Sequence, residues 1–508
     1  MKRMVVWVMS ALLALTCINL SQPSAIAAGT NLVKNGGFEE PDTTQEYSYG
    51  IPGFLWKNPI PGWQSNKGRD IEIDGKLSGG PKAYEGSQEV ELDGNNETNE
   101  IYQDISTEAG KTYKLSFAFS PRPGIADNKL NVRWGDTVLA KLSADGTGLT
   151  DTQWQVYTYT VQAKGATTRL SFDNLNEDSS DGQGALLDAV SLEPLVCQLP
   201  GTCDVTILPD QTVSIPVTIQ VPQDLGKLPL DLMLTQDLTS SYTDDLPVLK
   251  RVIPDVVKKL RSLQPDTTFG IATFTDKKVK GTPQYYVYKT RLPLTKNANA
   301  FQQAVGQFAI VGRGTDYPES SLSALFQVAL RADSELKFRQ GTRRVALVST
   351  DDNYHKAGDL PGTPNNGDTN LNPREDYPSV AQVSQAMKQA SLLPIFLVTS
   401  NFQSVYNNLV NQLGVGGAVV PLSADSSNLV SAIQKGLEIA NQNLALTVLN
   451  DTNNYVNSVT PERFSNLAPG SEVTTTVNFK YSGKGSGEQV TLRAIGRGDL
   501  IVNVTVAL

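Results

Sequence analysis

The stretch Leu230-Asp-Leu-Met-Leu-Thr-Gln-Asp237-Leu-Thr239-Ser240-Ser241-Tyr-Thr-Asp244-Asp245 decides how this chain folds. A short apolar run ends in a carboxylate; two hydroxyls follow at alternate positions, then a pair of acids. The run suits a buried strand, and the next residues put Leu246, Leu249, Val252, Ile253, Val256, Val257, Leu260 and Leu263 on one face of a helix. Apolar runs return at 269–274, 344–348 and 393–398, with helical patterns between them. Strand–helix alternation of this kind predicts an α/β doubly wound domain over 230–443, a parallel sheet with helices on both faces. Ligands of such a sheet bind outside the carboxyl ends of its strands.

Acids recur where those ends would lie. Asp237 follows the first strand and Asp276 the second; Asp316 and Glu319 precede another helix; Asp351 and Asp352 follow the strand ending at Val348. Carboxylates and hydroxyls are hard oxygen donors, suited to Mg2+ or Mn2+, and neutral hydroxyls leave the ion charge enough to attract an incoming carboxylate. The competing role for Thr239 and Ser241 is to cap the following helix.

Outward from this region the composition narrows the function. A formal charge of −9 over 508 residues argues against a general nucleic-acid binder. One histidine, His355, and three cysteines argue against a zinc site of several His or Cys ligands and against a catalytic triad. A glycosidase needs two carboxylates flanking a sugar cleft, and no such pair stands apart from the candidate cation ligands, so an enzyme is not expected. The start, Met-Lys-Arg with an apolar run from Val5 to Leu15 and then Ala25-Ile-Ala-Ala28, reads as a secretory signal over 1–28; the run is short for a membrane anchor. No later segment reads as a transmembrane span, so the product is expected to be secreted or held at the cell surface. Cys197 and Cys203, with five residues between them including Pro200-Gly201, are expected to form a small disulfide, a redox-active pair being the other reading.

Two β-rich zones flank the α/β region. Residues 29–195 hold alternating runs such as Tyr113-Lys-Leu-Ser-Phe-Ala-Phe119 between Gly, Asn and Asp, which predicts an antiparallel β-sandwich. Residues 196–229 and 444–508 read as strands too few on either side to make a sandwich alone. Together they would make one, with the α/β domain inserted in it.

These motifs resemble an integrin beta subunit. The stretch from Leu228 to Leu246 is similar to the opening of the integrin beta I-like domain, a von Willebrand factor A relative, and so are Phe269-Gly-Ile-Ala-Thr-Phe-Thr-Asp-Lys277, Asp316-Tyr-Pro-Glu319, Ser349-Thr-Asp-Asp352 and Leu422-Ser-Ala-Asp-Ser-Ser-Asn428, in the family's order. Leu208-Pro-Asp-Gln-Thr-Val-Ser, Gly470-Ser-Glu-Val-Thr and Asp499-Leu-Ile-Val-Asn-Val-Thr505 resemble the split hybrid domain that carries it. The resemblance implies a central metal site (MIDAS) of Thr239, Ser241 and Glu319, with Asp237 and Asp351 acting through water. It implies an adjacent Ca2+ site of Asp244, Asp245, the Ser241 carbonyl and Ala424, and a third site of Asp276, Asp316, the Pro318 carbonyl and Glu319. The third departs from the family, which usually has Asn where Gly314 stands. Residues 277–291 also lack the long disulfide-closed loop of animal integrins, and a cysteine-rich stalk and cytoplasmic tail are not expected.

Asn31-Leu-Val-Lys-Asn35-Gly-Gly-Phe-Glu39 and Leu186-Leu-Asp188-Ala-Val-Ser-Leu192 resemble galactose-binding-like jelly rolls and carbohydrate-binding modules. That implies a structural Ca2+ near Asn35, Glu39 and Asp188. Trp56, Trp63, Tyr84, Trp134 and Trp154 include candidates for a sugar-stacking platform, each set against a place in the core. Arg497-Gly498-Asp499 spells the tripeptide animal integrins bind, but at a turn before the last strand it reads as coincidence. His355 follows the Asp351 loop and reads as a surface histidine rather than a neighbour of the metal edge.

The expected function is cation-dependent adhesion: capture of an acidic group on an extracellular protein or glycan. The alternative is a lectin-like protein that binds polysaccharide through the jelly roll.

Overall fold

The computed structural model describes residues 29–93, 100–175, 182–223, 228–277, 284–312 and 318–507. The signal segment 1–28, Gly314 and Asp316 lie outside the described residues. The described residues form three bodies, one of them built from the segments on both sides of another.

The first is a two-sheet antiparallel jelly roll. One sheet orders its strands Phe54–Lys57, Ile71–Gly75, Gln88–Glu91, Leu186–Pro194, Thr112–Ser120 and Gln155–Gln162. The other orders Gln64–Ser65, Glu100–Ser106, Thr167–Asn174, Asn128–Trp134 and Thr137–Ala144. Alternate residues of both sheets meet in a core with Phe38, Trp63, Phe117 and Phe172 fully buried. Trp63 and Trp134 belong to this core, which removes them from any sugar platform. Trp56 and Trp154 are half-buried and Tyr84 is exposed.

The second body is a sandwich built from both sides of the α/β segment. Thr212–Gln220 pairs antiparallel with Glu472–Lys480, and Gly201–Ile207 runs parallel to Gly498–Val506. The disulfide Cys197–Cys203 joins the ends of the first turn, with Cα atoms 5.7 Å apart.

The third body is the α/β domain. Its sheet orders the strands Lys289–Thr295, Thr267–Phe274, Leu230–Asp237, Arg343–Thr350, Leu392–Val398 and Ala418–Pro421. The Lys289–Thr295 edge strand is antiparallel to its neighbour; the other five are parallel. The helix Asp245–Leu263 buries Leu246, Leu249, Ile253, Val256, Val257 and Leu260 against the sheet, while the outer members of the stripe, Val252 and Leu263, are half-buried. Strand order reverses between Leu230–Asp237 and Arg343–Thr350, so a crevice opens at their carboxyl ends. Asp237 ends one of these strands and Asp351 follows the other.

Candidate metal centre

Asp237 is fully buried at the end of its strand. Its Oδ1 accepts from the Thr239 amide at 2.9 Å and the Thr239 hydroxyl at 2.7 Å; its Oδ2 accepts from Thr350 Oγ1 at 2.7 Å. Thr239 Oγ1 lies 3.1 Å from Ser241 Oγ, which donates to Asp351 Oδ1 at 2.9 Å. The short 3-10 turn Ser240–Thr243 makes this possible, pinned by Tyr242, whose buried hydroxyl meets Ser349 Oγ at 2.8 Å. Neither hydroxyl caps a helix: no side-chain cap bond forms at Thr239 or Asp244, and the oxygens face the carboxylates.

Glu319 enters from a different segment, held by backbone bonds to Asn353 and His355 at 3.0 Å each. It is buried, and its Oε2 has no hydrogen-bond partner among the described residues. Burial, then the charges of Asp237, Asp276, Asp352 and Asp351, push its carboxyl up to about 10. Burial and Asp351 push Asp237 up to about 7; burial raises Asp351 and Asp352. Among the described residues no basic side chain pairs with Asp237, Asp351 or Glu319, and the donor set of carboxylates and hydroxyls fits a hard divalent cation.

The neighbouring groups are arranged around this core. Asp245 is buried, accepts from Ser426 Oγ at 2.5 Å, and is pushed up to about 6 by burial. Asp244 and Ala424 are exposed beside it. Asp276 Oδ1 accepts from the Lys277 amide at 2.6 Å, Tyr377 Oη at 2.8 Å and Ser320 Oγ at 3.1 Å. Pro318 precedes Glu319 directly, whereas Asp316 lies outside the described residues. Asn35, Glu39 and Asp188 sit at the joined ends of the jelly roll, where their side-chain oxygens receive backbone amides. Asn35 Oδ1 accepts from Glu40, Glu39 Oε1 from Ser87 and Gln88, and Asp188 from Tyr84, Glu85 and Ala189.

One expectation is corrected. His355 is not on the surface: it is 5% exposed, stacks on Tyr377 with ring centroids 4.3 Å apart, and places Nε2 4.0 Å from Asp276 Oδ1. Residues 351–379 fold back over the rim and bring Tyr377 and His355 together. Thr350, Ser426 and Tyr377 were also missed as partners of the acids. Thr350 was within reach of the sequence reading, as a hydroxyl beside Asp351 at a strand end.

Comparison with known proteins agrees with this geometry. Residues 225–444 match the model of the integrin beta chain VWA domain. Residues 31–193 match a family described as a protein of unknown function, DUF642. Among curated relatives, Integrin beta-PS of Drosophila melanogaster is 30% identical over 234 residues, which cover 41% of this chain and 27% of that protein. Integrin beta-2 of Sus scrofa is 32% identical over 236 residues, 41% of this chain and 30% of that protein. Integrin beta-1 of Gallus gallus is 29% identical over 313 residues, 53% of this chain and 38% of that protein. The chain thus spans about a third of the length of these relatives.

Proposed function

We propose that this protein, whose residues 225–444 match the integrin beta chain VWA domain, is a divalent-cation-dependent adhesion protein, exported or held at the cell surface. It captures an acidic group of an extracellular protein or glycan and catalyses no reaction. The observation that carries this reading is the buried Oε2 of Glu319, which has no hydrogen-bond partner among the described residues and lies under the charges of Asp237, Asp276, Asp351 and Asp352. A Mg2+ or Mn2+ ion bound there supplies a Lewis-acidic position for a partner's carboxylate.

The chain's own residues divide the work. Thr239, Ser241 and Glu319 would hold the central ion, while Asp237 and Asp351 orient the two hydroxyls and compensate charge. Asp244, Asp245 and the carbonyls of Ser241 and Ala424 would hold Ca2+ next to it. Asp276, Asp316, the Pro318 carbonyl and Glu319 would hold a third ion. No helix among the described residues is long and apolar enough to cross a membrane.

The test is adhesion of chain-coated beads to an immobilised library of carboxylate-bearing peptides and glycans, compared with the same library esterified. Binding in Mg2+ or Mn2+ that vanishes in EDTA, with esterification and in Asp237→Ala supports the reading. Binding unchanged in EDTA or in Asp237→Ala overturns it.

A further inference from the structure

The jelly roll carries a second acidic cluster, far from the α/β rim in sequence. In the strands Ile71–Gly75 and Gln88–Glu91, Ile73 and Val90 enter the apolar core. Side chains alternate along a strand, so Glu72, Asp74, Glu89 and Glu91 all face the other way. The antiparallel register sets Glu72 directly opposite Glu91 and Asp74 opposite Glu89. Like charges in direct opposition destabilise a sheet. A solvated outer face would screen them, but none of the four exceeds 6% exposure. Loops roof the face: Gly184 N donates to Glu91 Oε1 at 2.6 Å, and a Cβ at Gly80 would stand 3.4 Å from the Asp74 Cβ.

The internal partners do not balance this charge. Arg122 pairs with Glu91 and reaches Asp74 at 3.4 Å, and Trp56 Nε1 donates to Glu72 Oε2 at 2.8 Å. Glu89 is wholly buried, and both of its carboxylate oxygens lack a hydrogen-bond partner among the described residues. One carboxylate oxygen from each of Glu72, Asp74 and Glu91 lies within 4.8 Å of the others. Oxygens that each sit about 2.3–2.6 Å from one Ca2+ can be no more than about 5 Å apart, a limit that each pair of these oxygens meets.

We propose that the outer face of the six-stranded jelly-roll sheet binds Ca2+ between Glu72, Asp74 and Glu91, with the buried, unpartnered carboxylate of Glu89 on the same face, opposite Asp74, adding negative charge beside the ion. Four carboxylates against one guanidinium leave negative charge for a divalent ion, and an all-oxygen set on two adjacent strands suits the larger, less geometrically demanding Ca2+ over Mg2+. The position differs from that of Asn35 and Glu39; Asp188 lies nearer, and its charge acts on Glu89, but its oxygens already accept the amides of Tyr84, Glu85 and Ala189.

Trp56 beside Glu72 makes the site observable. The full chain, with Asp237→Ala and Asp276→Ala to silence the α/β rim, is titrated with Tb3+ under tryptophan excitation. Sensitised emission is expected, and Ca2+ should chase it. Glu72→Gln with Glu91→Gln should weaken Ca2+ competition at least tenfold, on the order of what loss of a supporting ligand costs. Trp56→Phe should abolish the emission yet keep the rise in unfolding temperature that Ca2+ gives its parent, so the result does not depend on the Gln variants folding. Absence of sensitised emission, emission that survives Trp56→Phe, or emission removed instead by Glu39→Gln overturns the site.

Discussion

Ser241 Oγ donates to Asp351 Oδ1 at 2.9 Å across 110 residues of sequence. The bond joins the loop after the Leu230–Asp237 strand to the loop after Arg343–Thr350, the two sides of the topological switch point. Through Thr239 it continues to Asp237, so one hydrogen-bonded chain of four side chains crosses the crevice. Such a chain fixes where its oxygens point before any cation arrives, which lowers the ordering cost of binding.

Ser241→Ala tests that preorganisation. Ser241 is exposed, so its removal should change unfolding free energy by no more than about 0.5 kcal/mol. It should nevertheless weaken Mn2+ binding at least about tenfold, because a donor is lost and Asp351 is released. Calorimetric Mn2+ titration beside urea unfolding separates the two effects; equal Mn2+ affinity in variant and parent would exclude Ser241 from the site.

Chelation should give the protein an unusual pH dependence. The Glu319 carboxyl rises from 4.5 to about 10 in the fold and that of Asp237 from 3.8 to about 7. A raised acid binds more protons folded than unfolded, so in EDTA stability is greatest at low pH and falls as pH climbs through the window between each pair of values. Each group costs up to about 1.4 kcal/mol per pH unit there. Glu319→Gln should therefore stabilise the chelated protein at pH 8 more than at pH 5, and should lose that advantage in saturating Mn2+. Unfolding curves at the two pH values, with and without the ion, check the sign.

Asp231 provides the contrast, an acid in the same strand with no place at the rim. It is fully buried near the strand's start and accepts from the Arg339 amide and Nε at 2.7 Å each, Thr268 Oγ1 at 2.6 Å and Thr342 Oγ1 at 3.0 Å. Asp231→Ala should cost about 2 kcal/mol or more, since it leaves the Arg339 amide and the Thr268 hydroxyl without their buried acceptor, while the Arg339 guanidinium keeps Asp266. Cation affinity of the remaining folded protein should be unchanged. Asp237→Ala should do the reverse in EDTA, losing the cation with little loss of stability.

Local pattern carried most of the rim. Asp237, Thr239 and Ser241 follow one strand at alternate positions, and Asp351 follows another, so strand assignment alone brought them to one edge. His355 and Tyr377 were not legible, because their position depends on how residues 351–379, a long irregular segment without periodicity, fold back on Asp276. In the jelly roll, Ile71-Glu-Ile-Asp74 and Gln88-Glu-Val-Glu91 alternate apolar and polar residues just as strands with a solvated outer face do. Alternation correctly gives the side on which the acids lie, but their burial comes from Arg122 and from loops distant in sequence, which no strand pattern contains.

Arg497-Gly498-Asp499 tests whether a motif by spelling alone has function. Gly498 begins the Gly498–Val506 strand and pairs with Ala494, so Gly498 and Asp499 belong to the sheet and Arg497 ends the tight turn that leads into it. Arg497 is 8% exposed and donates from Nη2 to the Asn441 carbonyl at 2.6 Å. Asp499 receives both Nε and Nη2 of Arg493 at 2.7 Å. A receptor that needs a free guanidinium and a free carboxylate on one loop finds neither. Asp499→Asn should therefore lower stability by about 1 kcal/mol through the weakened bidentate pair, while retention of the chain on an immobilised receptor of Arg-Gly-Asp peptides stays at background for parent and variant alike. Retention by the parent that soluble Arg-Gly-Asp peptide competes away, and that Asp499→Asn abolishes, would make the tripeptide a ligand and require this edge of the sheet to open.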